Sequence, residues 1–443
     1  MIGDLNKLLK GFIPENMLER GLLVLDSNLN PIKTLFEHRK IPEEGWNDEI
    51  IEFLLKIFNF MDTDKDPKAI KVGEREARTS SPLVSDLSSG FCHGIGRSGK
   101  VSAAQPKAPG SSIMYQLANK LALDALNKFG LPNIKDAIIF PFSTGMALGL
   151  SCAAARNRAN KTKILYPRLD HNSPLKGMDL VGIKPKIIPS TLDSDVVYIN
   201  PDDIAKEIDE KVLGIVSTTT FFPPRTCDDV KKIAKIAKEN DVFHIINNAY
   251  GAQSKLLMKK IQGAIDAGRV DAIIQSTDKN FLTPIGGSIV GSPSKEFLEE
   301  INQCYPGRAS AAPVVQFLTS ILSLGVNKYN ELRIQQENNR KLLEDLLKDL
   351  MPKYGERVLE VENPIACATT IDNYDPLKLG GGLYSLRVTG PRAFQANSKW
   401  GTCHDNYPHS YLVINAAIGS SESDIRDMME KLKKIFSQLK IKK

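Results

Sequence analysis

Apolar residues recur at two different periods along this chain, and the change of period divides it. Near the start the spacing is helical. Asn16-Met17-Leu18-Glu19-Arg20-Gly21-Leu22-Leu23 opens one amphipathic segment, and Trp46 to Met61 reads as another, with Ile50, Ile51, Phe53, Leu54, Leu55 and Ile57 apolar. The run Asp62-Thr63-Asp64-Lys65-Asp66-Pro67 breaks that pattern. It looks like the start of a calcium loop but has proline where such a loop requires glycine, so a solvated linker is expected. From about residue 71 to 310, short apolar runs alternate with amphipathic ones such as Val230 to Glu239. The strand candidates are Ala137-Ile138-Ile139-Phe140, Lys163-Ile164-Leu165-Tyr166, Lys186-Ile187-Ile188, Leu213-Gly214-Ile215-Val216, Phe243-His244-Ile245-Ile246 and Ala272-Ile273-Ile274. Such alternation predicts an α/β fold with a largely parallel sheet covered on both faces, ligands sitting at the carboxyl ends of the strands. Beyond 311 a long helical stretch through Gln335 to Leu350 leads into a strand-rich tail closed by a basic helix, Asp424 to Lys440. The expected division is a helical extension over 1–70, a large domain over 71–310 and a smaller α+β domain over 311–443.

Composition narrows the setting. The chain is 42% hydrophobic and 25% charged, ordinary globular material, and no apolar run approaches the roughly 20 residues that span a bilayer. The opening residues lack the pattern of a secretory signal, and the six cysteines are scattered without a CxxC pair. Reduced thiols, no zinc site, no membrane and a cytoplasmic location are therefore expected. A formal charge of +6 tolerates a polyanionic partner without demanding one.

Chemistry concentrates at the strand ends. Gln275-Ser276-Thr277-Asp278-Lys279-Asn280 follows the strand ending at Ile274, so Lys279 is placed to hold an aldehyde cofactor as a Schiff base, and Ser276 to hydrogen-bond its phosphate. Ser-x-x-Lys also occurs by chance and in β-lactamases, but the Ser-Asp-Asn and Lys-Thr-Gly elements of the latter are absent. Ile246-Asn247-Asn248-Ala249-Tyr250-Gly251 ends another strand. Pyridoxal enzymes of fold type I carry Asp-x-Ala-His/Tyr-Gly there, and Asn247 stands where their aspartate faces the pyridine nitrogen. An Asx turn with no ligand explains the same residues. Ser143-Thr144-Gly145 opens a helix whose free amides suit a phosphate, or simply cap it. The three elements together, in this order, point to pyridoxal 5′-phosphate.

The segment Gly94-Ile95-Gly96-Arg97-Ser98-Gly99-Lys100 matches both GxGxxG and GxxxxGK. Both readings need a helix directly after it, whereas Pro106 and Pro109 follow, and Val101 stands where an NTPase needs Ser or Thr. What remains is an irregular loop rich in anion donors.

These blocks, with Gly73-Glu74-Arg75-Glu76, Gln105-Pro106-Lys107-Ala108, Asp278-Lys279-Asn280-Phe281 and Tyr305-Pro306-Gly307-Arg308-Ala309-Ser310, resemble the motifs of the O-phosphoseryl-tRNA(Sec) selenium transferase family, from the N-terminal helices to the tail. The resemblance implies a fold-type I pyridoxal-phosphate enzyme that acts on tRNA(Sec) charged with phosphoserine, takes selenium from selenophosphate and assembles as a dimer of dimers. It implies Arg97, Ser98, Gln105 and Arg308 as ligands of the substrate phosphate, with Arg75 nearby on the cofactor side, and it makes asparagine the expected residue at 247. Asn247 should then damp delocalisation of charge into the cofactor ring, which elimination of a good leaving group tolerates. His171 matches the family block only partly; it is placed either to stack on the cofactor ring or to be an ordinary loop histidine. Arg392, Arg39 and Lys40 correspond to tRNA-binding positions, although the local sequences differ and solvated surface charge is the better account of any single one.

Overall fold

The computed structural model describes residues 2–439. Three helices open the chain, α1 (Ile2–Leu9), α2 (Glu15–His38) and α3 (Asp48–Phe60), followed by the short α4 (Pro82–Asp86) and by α5 (Pro109–Lys128). The alternating region then runs β1 (Asp136–Phe140), α6 (Thr144–Ala159), β2 (Lys163–Pro167), α7 (Asn172–Leu180) and β3 (Lys184–Ile188). A small hairpin, β4 (Thr191–Asp193) and β5 (Val196–Tyr198), precedes α8 (Pro201–Lys206), β6 (Val212–Thr218), α9 (Val230–Glu239), β7 (Phe243–Asn247) and α10 (Lys255–Ala267). After them come β8 (Ala272–Ser276), α11 (Thr277–Phe281), β9 (Ser288–Ser292), α12 (Lys295–Gln303) and the long α13 (Ala312–Leu350). The tail is β10 (Ala366–Thr370), α14 (Pro376–Ser385), β11 (Arg392–Phe394), β12 (Tyr411–Asn415) and α15 (Glu422–Gln438); Lys440, expected within this last helix, lies outside the described residues.

Seven strands form one sheet in the order β1-β9-β8-β7-β6-β2-β3, parallel except where β9 runs against both neighbours. All six strands anticipated from apolar runs occur, and β6 is buried along its whole length, as a sheet covered on both faces requires. The unanticipated strand is β9. Its Ser288-Ile289-Val290-Gly291-Ser292 has too few apolar residues to announce itself, and small residues are needed because a Cβ on Gly291 would lie 2.6 Å from Leu126 Cδ1. The tail strands pair as β10-β12-β11, and a separate apolar cluster joins them to α14, α15 and the end of α13 through Leu343, Leu347, Leu412 and Leu432.

The helical pattern near the start is tied into the main core, with Ile51, Leu54 and Phe58 of α3 buried in it. Each such side chain contributes ~2 kcal/mol. The attachment is unusual. Gly325 interrupts α13 with φ 63°, and the extended segment before α3 fills the break: Trp46 N–H donates to Leu322 O, Val326 N–H to Pro42 O and Asn327 N–H to Glu43 O. A Cβ on Gly325 would stand 2.6 Å from Gly45 N, so glycine is required by both φ and space.

The acidic run after α3 is only in part the solvated linker expected: Thr63, Asp66 and Pro67 are exposed, but two of its carboxylates are buried. Asp62 is 1% exposed and caps α5, accepting from Ser111 N (3.0 Å) and Ser111 Oγ (2.5 Å). The Asp64 side chain is also buried, between Lys65 and His93. Charge patterning suggested solvent; helix α5 supplied partners instead.

One buried group in this sheet gives a pH prediction. His244 of β7 is fully buried; its Nδ1 faces Arg269 O, which only accepts, so Nδ1 carries the proton and Nε2 accepts from Ser217 Oγ at 2.7 Å. Burial pulls its pKa from the ordinary 6.5 down to about 4. The unfolded chain therefore takes up a proton below about pH 6.5 that the folded chain refuses until pH 4. Stability from this group is complete above pH 6.5 and declines as pH falls, by about 2 kcal/mol at pH 5. Denaturant melts at pH 7.5 and pH 5 should show a smaller loss for His244→Gln than for the parent; equal losses would disprove the assignment. Among the described residues no helix is long and apolar enough to cross a membrane.

Candidate active site

Strand register assembles the site. Thr218 of β6 pairs with Asn247 of β7, and Asn247 with Ile274 of β8, so three strands end side by side. Their carboxyl ends open into a cavity of about 350 Å³. Its lining includes Thr144, His171, Asn247, Lys279 and Arg392, together with Thr220, Phe221, Phe222, Tyr250, Gln253 and Asn415.

Lys279 sits on α11, a single turn directly after β8, and the backbone beneath it is clamped. Asn280 Nδ2 donates to Ser276 O (2.7 Å) and Ala249 O (3.0 Å), while Gln253 Nε2 donates to Lys279 O (3.0 Å) and Tyr250 O (3.0 Å). Gln253 Oε1 also accepts from Ile418 N at 2.7 Å, joining the tail to the strand ends.

Strand alternation separates the two asparagines. Asn247 lines the cavity, whereas Asn248 points into the sheet and accepts from Thr219 Oγ1 at 2.6 Å. A Cβ on Gly251 would fall 1.9 Å from Asn248 Oδ1, which accounts for the glycine that closes this block.

Helix α6 starts at the cavity, and its N-cap Ser143 makes no side-chain hydrogen bond to the helix amides, which leaves that end available to an anion. A Cβ on Gly145 would meet Ser173 Oγ at 2.1 Å, so glycine here also lets α7 pack closely. His171, the N-cap of α7, stands edge-on to Phe221 with ring centroids 6.2 Å apart. Burial, with the nearby charges of Lys279 and Arg392, lowers its pKa and favours the neutral imidazole. Arg392 comes from β11 and lies over the Phe222 ring, 4.6 Å from its centroid. Ser276 is buried behind the lysine, and its hydroxyl donates to the Asp278 carboxylate.

The remaining sequence candidates lie elsewhere in the chain. Arg75 and Arg308 line a second concavity of about 460 Å³ that also includes His93. Arg308 donates to His93 O, and burial together with the Arg75 charge lowers its pKa. Arg97 and Ser98 are exposed on a turn closed by reciprocal Arg97 and Lys100 backbone bonds, and Gln105 begins the next turn. Lys100 is paired with Glu299 at 2.6 Å, so it is not a free phosphate donor. Arg39, in a left-handed conformation at the end of α2, and Lys40 are exposed at the surface. Lys279, Asn247, His171, Thr144 and Arg392 of one chain line a common cavity, and Arg75, Arg97, Ser98, Gln105 and Arg308 are not among its lining residues.

The family model described as O-phosphoseryl-tRNA(Sec) selenium transferase matches residues 61–437. The chain belongs to that family. A relative named O-phosphoseryl-tRNA(Sec) selenium transferase from Methanococcus maripaludis is 48% identical over 434 residues, covering 97% of this chain and 99% of the relative. The crystal structure of an archaeal O-phosphoseryl-tRNA(Sec) selenium transferase superposes with a TM-score of 0.93 at 47% identity, covering 96% of this chain and 98% of that one. The structure of Oryza sativa TDC with PLP and tryptamine shares the fold alone, with a TM-score of 0.61 at 14% identity over 88% of this chain and 96% of that one.

Members of the family are pyridoxal-phosphate-dependent enzymes, and the cavity has a donor set that fits this group. Besides the lysine and the open helix end, three buried polar atoms lining it have no hydrogen-bond partner among the described residues: Thr220 Oγ1, Tyr250 OH and Asn415 Oδ1. Facing a cavity, such atoms are open to hydrogen bonds from a bound polar group or from water. Thr220, Phe221, Phe222, Gln253 and Asn415 were not singled out from sequence. The run Thr218-Thr219-Thr220-Phe221-Phe222 directly after a buried strand was a usable signal for the first three. Nothing local marks Asn415, which reaches the cavity from the smaller sheet.

Proposed function

We propose that this chain converts O-phosphoseryl-tRNA(Sec) to selenocysteinyl-tRNA(Sec), with selenophosphate as the selenium donor. The observation that carries the reading is the convergence of Lys279, Asn247 and the unfilled polar atoms in one cavity at the strand ends of a selenium transferase fold.

Bound in that cavity, pyridoxal 5′-phosphate supplies an aldehyde for an amine and a sink for the electrons of a Cα–H bond. Lys279 would hold it covalently and then act as the base that removes the Cα proton and later returns it. Asn247 would face the ring nitrogen as a neutral partner, with His171 against the ring. Ser143, Thr144 and Gly145 would bind the cofactor phosphate, and Ser276 would join them only by giving up its hydrogen bond to Asp278. The Cβ–O bond of phosphoserine breaks and the phosphate departs with its electron pair; the selenium of selenophosphate then bonds to Cβ as Cα regains its proton, and water cleaves the Se–P bond, releasing a second phosphate and leaving the selenol. Arg308, Arg97, Ser98 and Gln105 would hold the departing phosphate, with Arg75 beside them. A homotetramer lets these residues of one copy face the lysine cavity of another, which one chain alone does not do. Arg392, Arg39 and Lys40 would contact the tRNA. We assign the reaction to the cytoplasm and keep 1–70, 71–310 and 311–443 as working functional divisions.

A fixed cluster of guanidinium groups discriminates phosphoserine from serine, because serine leaves those cations without a counter-charge. The test is conversion of phosphoseryl-tRNA with and without selenophosphate by the cofactor-loaded enzyme. Selenocysteinyl-tRNA should form only with selenophosphate, and Arg308→Ala should lower the rate about 100-fold, in line with loss of one preorganised charge-stabilising donor. Turnover of free phosphoserine or cysteine, with no reaction on the charged tRNA, would sink the proposal.

A further inference from the structure

The loop between β11 and β12 is built unlike an ordinary surface connection. One buried carboxylate organises it: Asp170 Oδ2 accepts from Gly401 N (2.9 Å) and Cys403 N (2.8 Å), and Arg168 Nη2 donates to Lys399 O (3.0 Å). Thr402 and Cys403 are fully buried beneath the tip. Asn397, Cys403 and Asn406 all hold positive φ, of 57°, 61° and 59°, so the path is closely specified rather than slack. Yet the tip presents Trp400, 47% exposed, beside exposed Lys399. A large aromatic left half exposed on a loop held by so many hydrogen bonds presents a ring face to solvent.

Its position gives it a use. Asp170 is the residue between Leu169 and His171, both in the lysine cavity. On the other side Gly401 lies against Phe394, its ideal Cβ 3.2 Å from the ring, and Phe394 is two residues along β11 from Arg392 of the same cavity. Trp400 is thus anchored at both ends to the cavity rim, on the side where Arg392 adds positive charge. Lys399 has no carboxylate partner among the described residues.

We propose that Trp400 is a stacking platform for the unpaired 3′-terminal base of the aminoacylated RNA, with Lys399 against the adjoining phosphate. This rests on the proposed function. An aminoacyl ester entering the cavity leaves the nucleotide that carries it at the rim, where an aromatic face and a cation recognise a base and its backbone without reading sequence. A loop already fixed in shape loses little freedom on binding.

Trp46 and Trp400 are the two tryptophans of the chain, and Trp46 packs against the core, so a Trp46→Phe holoenzyme makes Trp400 the fluorescent reporter. An RNA hairpin with an unpaired 3′ end should quench it, and the same hairpin trimmed blunt should not. In steady state, Trp400→Ala should raise KM for phosphoseryl-tRNA about tenfold, the effect of one stacked base, with kcat within about twofold. Trp400→Phe, which keeps a ring, should restore most of the affinity. Equal quenching by both hairpins, or an unchanged KM for Trp400→Ala in an active enzyme, overturns the platform. Quenching that needs the unpaired end, in an enzyme that makes no selenocysteinyl-tRNA, supports the platform and removes the reaction instead.

Discussion

Lys279→Ala is expected to reduce selenocysteinyl-tRNA formation by at least about 10⁴-fold. Two contributions are lost together: the covalent hold on the cofactor, and a positioned base for the Cα proton, which alone is worth roughly 10²–10⁴. The loss should be chemical rather than structural. The Lys279 side chain opens into the cavity, while the backbone of α11 is held by Asn280 and Gln253 through bonds that the substitution leaves intact. Melting temperature without cofactor should therefore stay within about 2 °C of the parent. Single-turnover conversion and the absorbance of the lysine-bound cofactor would be measured on the same preparations. Lys279→Arg keeps the charge but supplies no amine that can deprotonate at neutral pH, and should be equally inactive. Appreciable conversion by either variant would move the chemistry to another residue.

The largest loss of stability is expected at Asp228. Arg225 and Asp228 form a buried pair, 1% and 3% exposed, with Arg225 Nη2 donating to Asp228 Oδ1 at 2.5 Å. The other carboxylate oxygen accepts from Thr218 N at 2.7 Å, at the end of β6. Arg225 also donates to Thr226 O (2.6 Å) and Arg168 O (3.2 Å), so the pair ties the end of β6 to the segment that carries Asp170 and His171. Asp228→Ala leaves a buried guanidinium without its counter-charge and a buried amide without an acceptor, which costs about 3–5 kcal/mol. For a chain of this size that is a fall in Tm of about 4 °C. Cofactor affinity should fall with it, because His171 loses its support. Arg225→Met with Asp228→Leu removes both charges and should recover much of the stability, since the pair itself contributes little net free energy. A double variant as unstable as Asp228→Ala would show that shape rather than charge governs this site.

How much was legible depended on how local each signal was. The six strands, the helix over 230–239 and the lysine directly after β8 follow from periodicity and from the strand-end rule; the central β6, β7 and β8 are the plainest, because a fully buried parallel strand has to be apolar throughout, whereas the edge strand β3 keeps two lysines. Strand β9 was not legible, since its small residues answer to Leu126 and the rest of the sheet rather than to their own neighbours. The acidic run 62–66 misled for a related reason: charge near a proline implies solvent until a helix N-terminus supplies donors for it. The site divides in the same way. Lys279, Asn247 and Thr144 each lie at or just after the end of a strand with a recognisable pattern, whereas no such pattern marks Asn415 and Gln253.

The sequence by itself therefore determined the class of fold, the order of six of its strands along the chain, and the residue types placed at the strand ends, because each of these rests on contacts between near neighbours or on a repeating period. Only the tertiary structure decided which side chains share a cavity. Asn415 and Arg392 reach Lys279 from a different sheet, Asp170 holds a loop some 230 positions further along the chain, and Arg308 lies with Arg75 rather than with the lysine. Those meetings depend on how separate elements dock, and no period or local propensity encodes a partner so distant in sequence.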